Sequence, residues 1–208
     1  MTKARSVLQN VDWMTIPWFD VPKTPLDHLV DLVAEIPRLL EGLRCPGTRE
    51  TGLVQCLALV AHLESWFDKM SPELGVEEVL RSSDALSSAS DLAKTHVLVL
   101  FWAICLLLRH TLLGLLPETQ LSSRFHLHVL RQNILKALPT FFRPEAGWYG
   151  VNIAVFPLRV VFDTLDEFPL SHREEKSMTR LLDQYKGKEV LGFLHSMTQY
   201  RSELSERR

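Results

Sequence analysis

An all-α fold is predicted: a single domain of about six or seven helices in bundle-like packing. Three observations predict it. Apolar residues recur every three to four positions over helix-length segments. Alternating apolar and polar runs are too short to make a strand. Residues 97–116, VLVLFWAICLLLRHTLLGLL, are apolar nearly all round, as the central helix of a bundle must be.

Residues 1–23 read as an extended N-terminal strap, because Pro17 and Pro22 interrupt any regular helix. Trp13, Ile16, Trp18 and Phe19 are too apolar for a free tail and are expected in the core. A helical domain over residues 24–200 follows. Its first helix starts at Thr24-Pro25, a good N-cap before a proline suited to the first turn, with Asp27 at the positive end of the dipole. Leu26, Leu29, Val30, Val33, Ile36 and Leu40 keep the helical period, and Pro37 is expected to kink or split this helix. Cys45-Pro46-Gly47 ends it. The second helix is expected over residues 50–70, with Val54, Leu57, Ala58, Ala61, Trp66 and Met70 inward and Ser71-Pro72 as the stop.

Residues 82–90 are serine-rich and read as a mobile loop. The third helix is expected over 91–116, closed by Pro117. The fourth spans 122–139, with Phe125, Val129, Ile134, Leu135 and Leu138 inward. FFRPEAGWYG, residues 141–150, is the least regular segment, punctuated by Pro144, Gly147 and Gly150. A fifth helix covers 151–168. Ser171 and Glu174 have capping-box spacing and open a sixth, which Gly187 ends. A last helix is expected over 189–200, and residues 201–208 form a polar tail.

The 208 residues are 46% hydrophobic and 23% charged, which is ordinary for a globular chain and excludes wholesale disorder. The formal charge is −2, without the basic excess of a chain that grips nucleic acid by itself. Cys45, Cys56 and Cys105 are odd in number and widely spaced, so neither a disulfide framework nor a zinc site is expected. No signal-peptide core opens the chain, and an intracellular setting, cytoplasm or nucleus, is expected. Residues 97–116 approach the roughly 20 residues that cross a bilayer, but Arg109 and His110 fall inside them. The expectation is a buried helix and no membrane span.

Phosphate loops, nucleotide-binding glycine patterns and Ser-His-Asp signatures are absent from the sequence. His126 and His128 are two apart and point to different helix faces, so a shared metal is not expected. His126 is expected half-buried and His128 exposed. His62 and Trp66 share a face by their spacing, and packing or cavity lining follows from it. Asp163, Asp166 and Glu167 resemble the acidic metal motifs of terpene cyclases but lack their double-aspartate start, and read as a solvated face. Arg159 sits in an apolar helix, and Asp163, four residues on, is its natural partner. Arg143, Glu145, Trp148 and Tyr149 surround the irregular turn and make a reasonable pocket wall.

Several segments in order carry a family resemblance: WMTIPWFDVPKTPLDHLVDLVAEIPRLLEGL, SWFDKM, LFWAICLLLRHTLL, LPTFFRPEAGWYGVNIAVFPLRVVFDTL and GKEVLGFLHSM. Together, from Trp13 to Met197, they resemble the C-terminal regulatory region of fungal transcription factors that carry a binuclear zinc cluster. PEAG followed by Ala154, Val155, Phe156, Pro157 and Leu158 is the most specific part. The family reads DNA through six zinc-binding cysteines, which this chain of three cysteines lacks. No direct nucleic-acid binding is therefore carried over.

The resemblance implies a helical fold, a fungal origin and a link to gene clusters whose regulators answer small molecules or partners. A free-standing domain that binds a hydrophobic small molecule or a protein partner, without a cofactor or metal, is the leading expectation. Surface left bare by the missing half of the region implies a homodimer or a ligand cavity. The alternative is a cofactor-free cyclase or isomerase of fungal secondary metabolism. Its acid or base would come from His62, His126 or Asp163. Trp66, Trp102, Arg143, Trp148, Tyr149 and Arg159 would line its pocket.

Overall fold

The structure, a computed structural model, describes Thr15 and residues 18–81, 88–117, 121, 125–165 and 168–184. Every regular element among these residues is helical. Thr24 caps α1 (Pro25–Val33): its hydroxyl accepts from the Asp27 amide while the Asp27 carboxylate accepts from the Thr24 amide. Pro37 does split the predicted first helix. The chain turns at Ala34–Glu35, and α2 (Ile36–Arg44) begins with the proline in its first turn, where no amide is needed.

The second predicted helix is longer than expected. α3 (Arg49–Leu74) passes through Pro72 and stops at Gly75, whose φ of 61° is left-handed. A proline removes one backbone hydrogen bond and crowds one carbonyl, whereas a left-handed glycine turns the chain away. The predicted inward face of this helix also needs correction. Gly52, Cys56, Leu59, Leu63, Trp66 and Leu74 are buried, while Val54, Leu57, Ala58 and Ala61 are exposed. Apolar residues occur on both sides of α3, so periodicity does not select a face. Its neighbours α1, α2 and α5 do. α2 crosses closest at Gly52, where a Cβ would stand 3.2 Å from the Gly42 carbonyl carbon and the Leu43 nitrogen.

A short α4 (Val76–Arg81) leads to residues 82–87, which lie outside the described set together with most of the predicted mobile loop. Ser88, placed in that loop by composition, is instead the N-cap of α5 (Ala89–Leu113), in a capping box with Asp91. α5 is the centre of the fold. It packs against α1, α3, α6 and α7, and Leu98, Val99, Phe101, Ala103, Leu106 and Leu108 have no exposure at all. By length and composition it is the one described helix apolar enough to cross a membrane, yet 67% of its most apolar window is buried inside the protein. Protein neighbours therefore account for its composition.

α6 (Leu127–Ala137) is shorter than the predicted fourth helix and runs on as tight 3-10 turns, Leu138–Phe142 and Pro144–Ala146. The segment expected to be least regular is thus helical. The predicted fifth helix is displaced towards the N-terminus: α7 covers Gly147–Asp163 and contains the buried Pro157. Ser171 and Glu174 form the expected capping box at the start of α8 (His172–Gln184). The predicted last helix and tail lie outside the described residues.

In the strap, Trp13 and Ile16 fall outside the described residues. Phe19 is 89% exposed, against expectation, and Trp18 is half-buried beneath the Lys23 ammonium, 5.8 Å from its ring centroid. Lys23 is itself tied to Asp31 of α1, so the charged side chain rather than Phe19 anchors this stretch.

One buried charged pair stitches α6 to α8. The Arg131 Nε donates to Glu174 Oε1 at 2.8 Å, and its terminal nitrogens donate to Glu174 Oε2 and to the Phe168 and Pro169 carbonyls. The Ser171 hydroxyl and amide also donate to Glu174 Oε2, at 2.7 and 2.8 Å. Burial alone pushes the Glu174 carboxyl up, but the Ser171 hydrogen bonds and Arg131 outweigh it and hold the group below its ordinary value.

Candidate functional site

A cleft of about 590 Å³ opens between the N-terminal turn of α5 and the 3-10 turns. Ser88, Ala89 and Leu92 form one wall, and Thr140 with Arg143 to Ala146 form the other. The PEAG segment builds this second wall because Pro144 starts a 3-10 turn and Gly147, at φ 51°, redirects the chain into α7. Gly150 completes the arrangement. It packs so tightly on the Phe141 carbonyl and the Ala146 methyl that no side chain fits there.

The chemistry of the cleft is mixed. Arg143 supplies a cation and Glu145 a carboxylate, while Leu92 and Ala146 supply apolar wall. Thr140 is buried, and its Oγ1 has no hydrogen-bond partner among the described residues. The dipole of α5 adds positive potential at Ser88 and Ala89.

One helical turn beyond Leu92, His96 meets Tyr149 of α7. The His96 Nδ1 and the Tyr149 hydroxyl share a hydrogen bond of 3.1 Å, with the rings edge to face at 5.8 Å. Burial lowers the His96 pKa, which favours the neutral ring. Sequence reasoning missed His96, which reads as one more residue of an apolar helix.

The sign of the resulting pH dependence is definite. An imidazole held below its unfolded value of about 6.5 is protonated first in the unfolded chain. Stability is therefore expected to fall as pH drops below about 6.5. His96→Gln is expected to flatten that part of the profile, as thermal melts at a series of pH values will show.

Of the residues selected from sequence, Arg143 lines this cleft, and Tyr149 meets His96 one turn along α5 from the cleft residue Leu92. Trp148 lies in the first turn of α7. The others are dispersed. Trp66 and Trp102 are core residues, 7% and 1% exposed, and Trp66 packs on Phe101 with ring centroids 5.4 Å apart. His62 is exposed on α3 and does not share a cavity with Trp66. Arg159 and Asp163 form the expected ion pair, 2.8 Å between Nε and Oδ2, at the far end of α7. Asp166 and Glu167 lie outside the described residues.

His126 is exposed rather than half-buried, and its ring stacks on that of His128 at 5.8 Å. The two do not diverge as helical spacing implies, because His126 is the non-helical N-cap of α6. Among the described residues, no group of three or more His, Cys, Asp or Glu side chains is placed to hold a metal.

Smaller openings also occur among the described residues. One, of about 400 Å³, lies between α2 and the C-terminal half of α5. Another, of about 80 Å³, lies between α3 and α5 beside Leu57 and Glu64. Cys105 lines it but is chemically quiet, since burial and the Glu64 carboxylate both raise its pKa. Cys56 is likewise pushed up, to about 11, by burial, and Cys45 is the exposed thiol.

No family model matches this chain, and no curated protein or solved structure matches it.

Proposed function

We propose that this chain is a transcription-factor-like regulatory domain that binds a small, mainly apolar molecule in the cleft between α5 and the PEAG turns. The observation that carries the reading is the cleft itself. It is larger than the openings beside α2 and α3, and the segment that bears the strongest resemblance forms one of its walls. A ligand with an apolar body and one acidic or hydroxyl group fits a wall of Leu92 and Ala146 beside Arg143 and Thr140. DNA binding is no part of this proposal.

A second reading, a cofactor-free cyclase or isomerase, is favoured by one observation: His96, paired with Tyr149 one helical turn from the cleft residue Leu92. Against it, the aromatic side chains expected to shape a reaction cavity, Trp66 and Trp102, are packed in the core.

The test is capture of metabolites from a fungal extract, read by native mass spectrometry. One compound retained unchanged, in stoichiometric amount, and lost in Ala89→Trp is the expected result. Ala89 is exposed at the cleft rim, so this variant blocks the opening without touching the core. A compound released with altered mass or isomeric form selects the enzyme reading. Retention that ignores Ala89→Trp, or no retention at all, overturns the cleft as the site.

A further inference from the structure

The 400 Å³ opening beside α2 has a composition unlike that of the cleft. Leu40, Leu43 and Pro46 form its wall on one side, and Leu107 and Leu115 form it on the other. Two arginines, Arg44 and Arg49, join Thr111 and Gly114 in the rest of the lining, and no carboxylate is part of it. Neither guanidinium has a hydrogen-bond or ion-pair partner among the described residues, whereas Arg38, Arg81, Arg131 and Arg159 all pair with a glutamate or an aspartate.

The backbone explains why the two cations stand together. Arg44 is the last residue of α2 and Arg49 the first of α3, so only the turn over residues 45–48 separates them. Thr48 pins that turn, its hydroxyl donating to the Gly42 carbonyl at 2.9 Å. That hydroxyl accepts no capping hydrogen bond from the first amides of α3. Arg49 accordingly sits at the positive end of a 26-residue helix, where the dipole disfavours a cation. Glu50 follows in that turn but is not part of the lining. Two guanidinium groups and an uncapped helix start thus concentrate positive potential at one end of an apolar groove.

We propose that this groove binds a small amphipathic anion, a medium-chain carboxylate, with the chain along Leu40, Leu107 and Leu115 and the carboxylate at Arg44 and Arg49. The volume lies within the roughly 300–1,000 Å³ of ordinary small-molecule sites. Planar guanidinium forks match a carboxylate in geometry as well as charge. The anion neutralises two like charges that the fold itself holds close. The site is separate from the cleft, and its occupancy does not depend on the reading given for the cleft.

The probe is sodium decanoate with the full chain, measured by isothermal titration calorimetry below the micelle range. Decanol, with the same chain and no charge, is the control. Decanoate is expected to bind roughly tenfold or more tightly than decanol, and the gap should narrow with added salt. Arg44→Gln with Arg49→Gln should remove the gap. Both side chains are exposed, so the circular dichroism spectrum should not change.

Gly114→Trp should block decanoate. Gly114 lines the groove at φ −70°, which any residue adopts, and is exposed, so the bulk fills the opening rather than the core. Ala89→Trp should leave decanoate binding unchanged. Equal affinity for decanoate and decanol, no binding of either, or binding that survives Gly114→Trp would each overturn the proposal. So would loss of binding in Ala89→Trp, which would move the ligand to the cleft. Vesicles of anionic phospholipid distinguish the other source of such a headgroup. Sedimentation with the vesicles but no response to free decanoate would replace the soluble acid by a membrane surface.

Discussion

Gly150→Ala is expected to be the most damaging single-methyl change in this protein. A Cβ at Gly150 would overlap the Phe141 carbonyl oxygen outright and stand 2.7 Å from the Ala146 Cβ and 2.9 Å from the Phe141 carbonyl carbon. Two of these three atoms are backbone, so no rotamer change relieves the clash. Either α7 or the 3-10 turn must move, and both form the core around α5. Overpacking of this kind costs about 3 kcal/mol where the neighbours are rigid. For a chain of this size that corresponds to a drop of roughly 6–12 °C in Tm. Gly47→Ala is the matched control. Nothing lies within 4 Å of its added methyl, and it should stay within about 0.5 kcal/mol of the parent. Equal melting temperatures for the two variants would show that α7 and the turn are not locked together at this point.

The second large effect concerns the α6–α8 stitch. Glu174→Ala leaves Arg131, 3% exposed, as a buried cation without its carboxylate. Breaking one side of such a pair costs about 3–5 kcal/mol, whereas replacing both partners by apolar residues of similar volume is often nearly neutral. Urea unfolding should therefore rank Arg131→Met with Glu174→Leu well above Glu174→Ala. The pH dependence follows from the direction of the Glu174 shift. Its folded pKa lies below the unfolded one, so its contribution is complete above the ordinary glutamate value of about 4.3. It is lost as pH falls through the folded pKa. The double variant should lack this acid-side loss. This window lies below the one assigned to His96, so the two are separable in one series of melts.

The contrast between these residues explains what was legible in the sequence. Local chemistry was readable: Thr24 with Asp27, Ser171 with Glu174, the break around Pro37 and the Arg159–Asp163 pair all act within four residues. The all-helical class was readable for the same reason. Packing choices were not. Arg131 and Glu174 are 43 residues apart, His96 and Tyr149 are 53 apart, and no spacing rule connects them. α3 shows the limit most clearly, because apolar residues lie on both its sides and only the positions of its neighbours select one. At the candidate site, Arg143 and Tyr149 were found through the irregular composition of their segment. Thr140 and His96 lie in ordinary helical pattern and carried no such mark.

α5 is synthesised between its two sets of neighbours. α1 and α3 precede it in the chain, and α6 and α7 follow it. While the ribosome is still making residues 127–163, the flank of α5 that α6 and α7 will cover has no protein against it. A nascent chain at that stage offers chaperones and membrane-insertion machinery the same long apolar helix that the finished fold conceals. Until α7 arrives, α5 is distinguished from a true membrane segment by its polar and charged residues, Asp91, Lys94 and His96 near its start and Arg109 and His110 near its end.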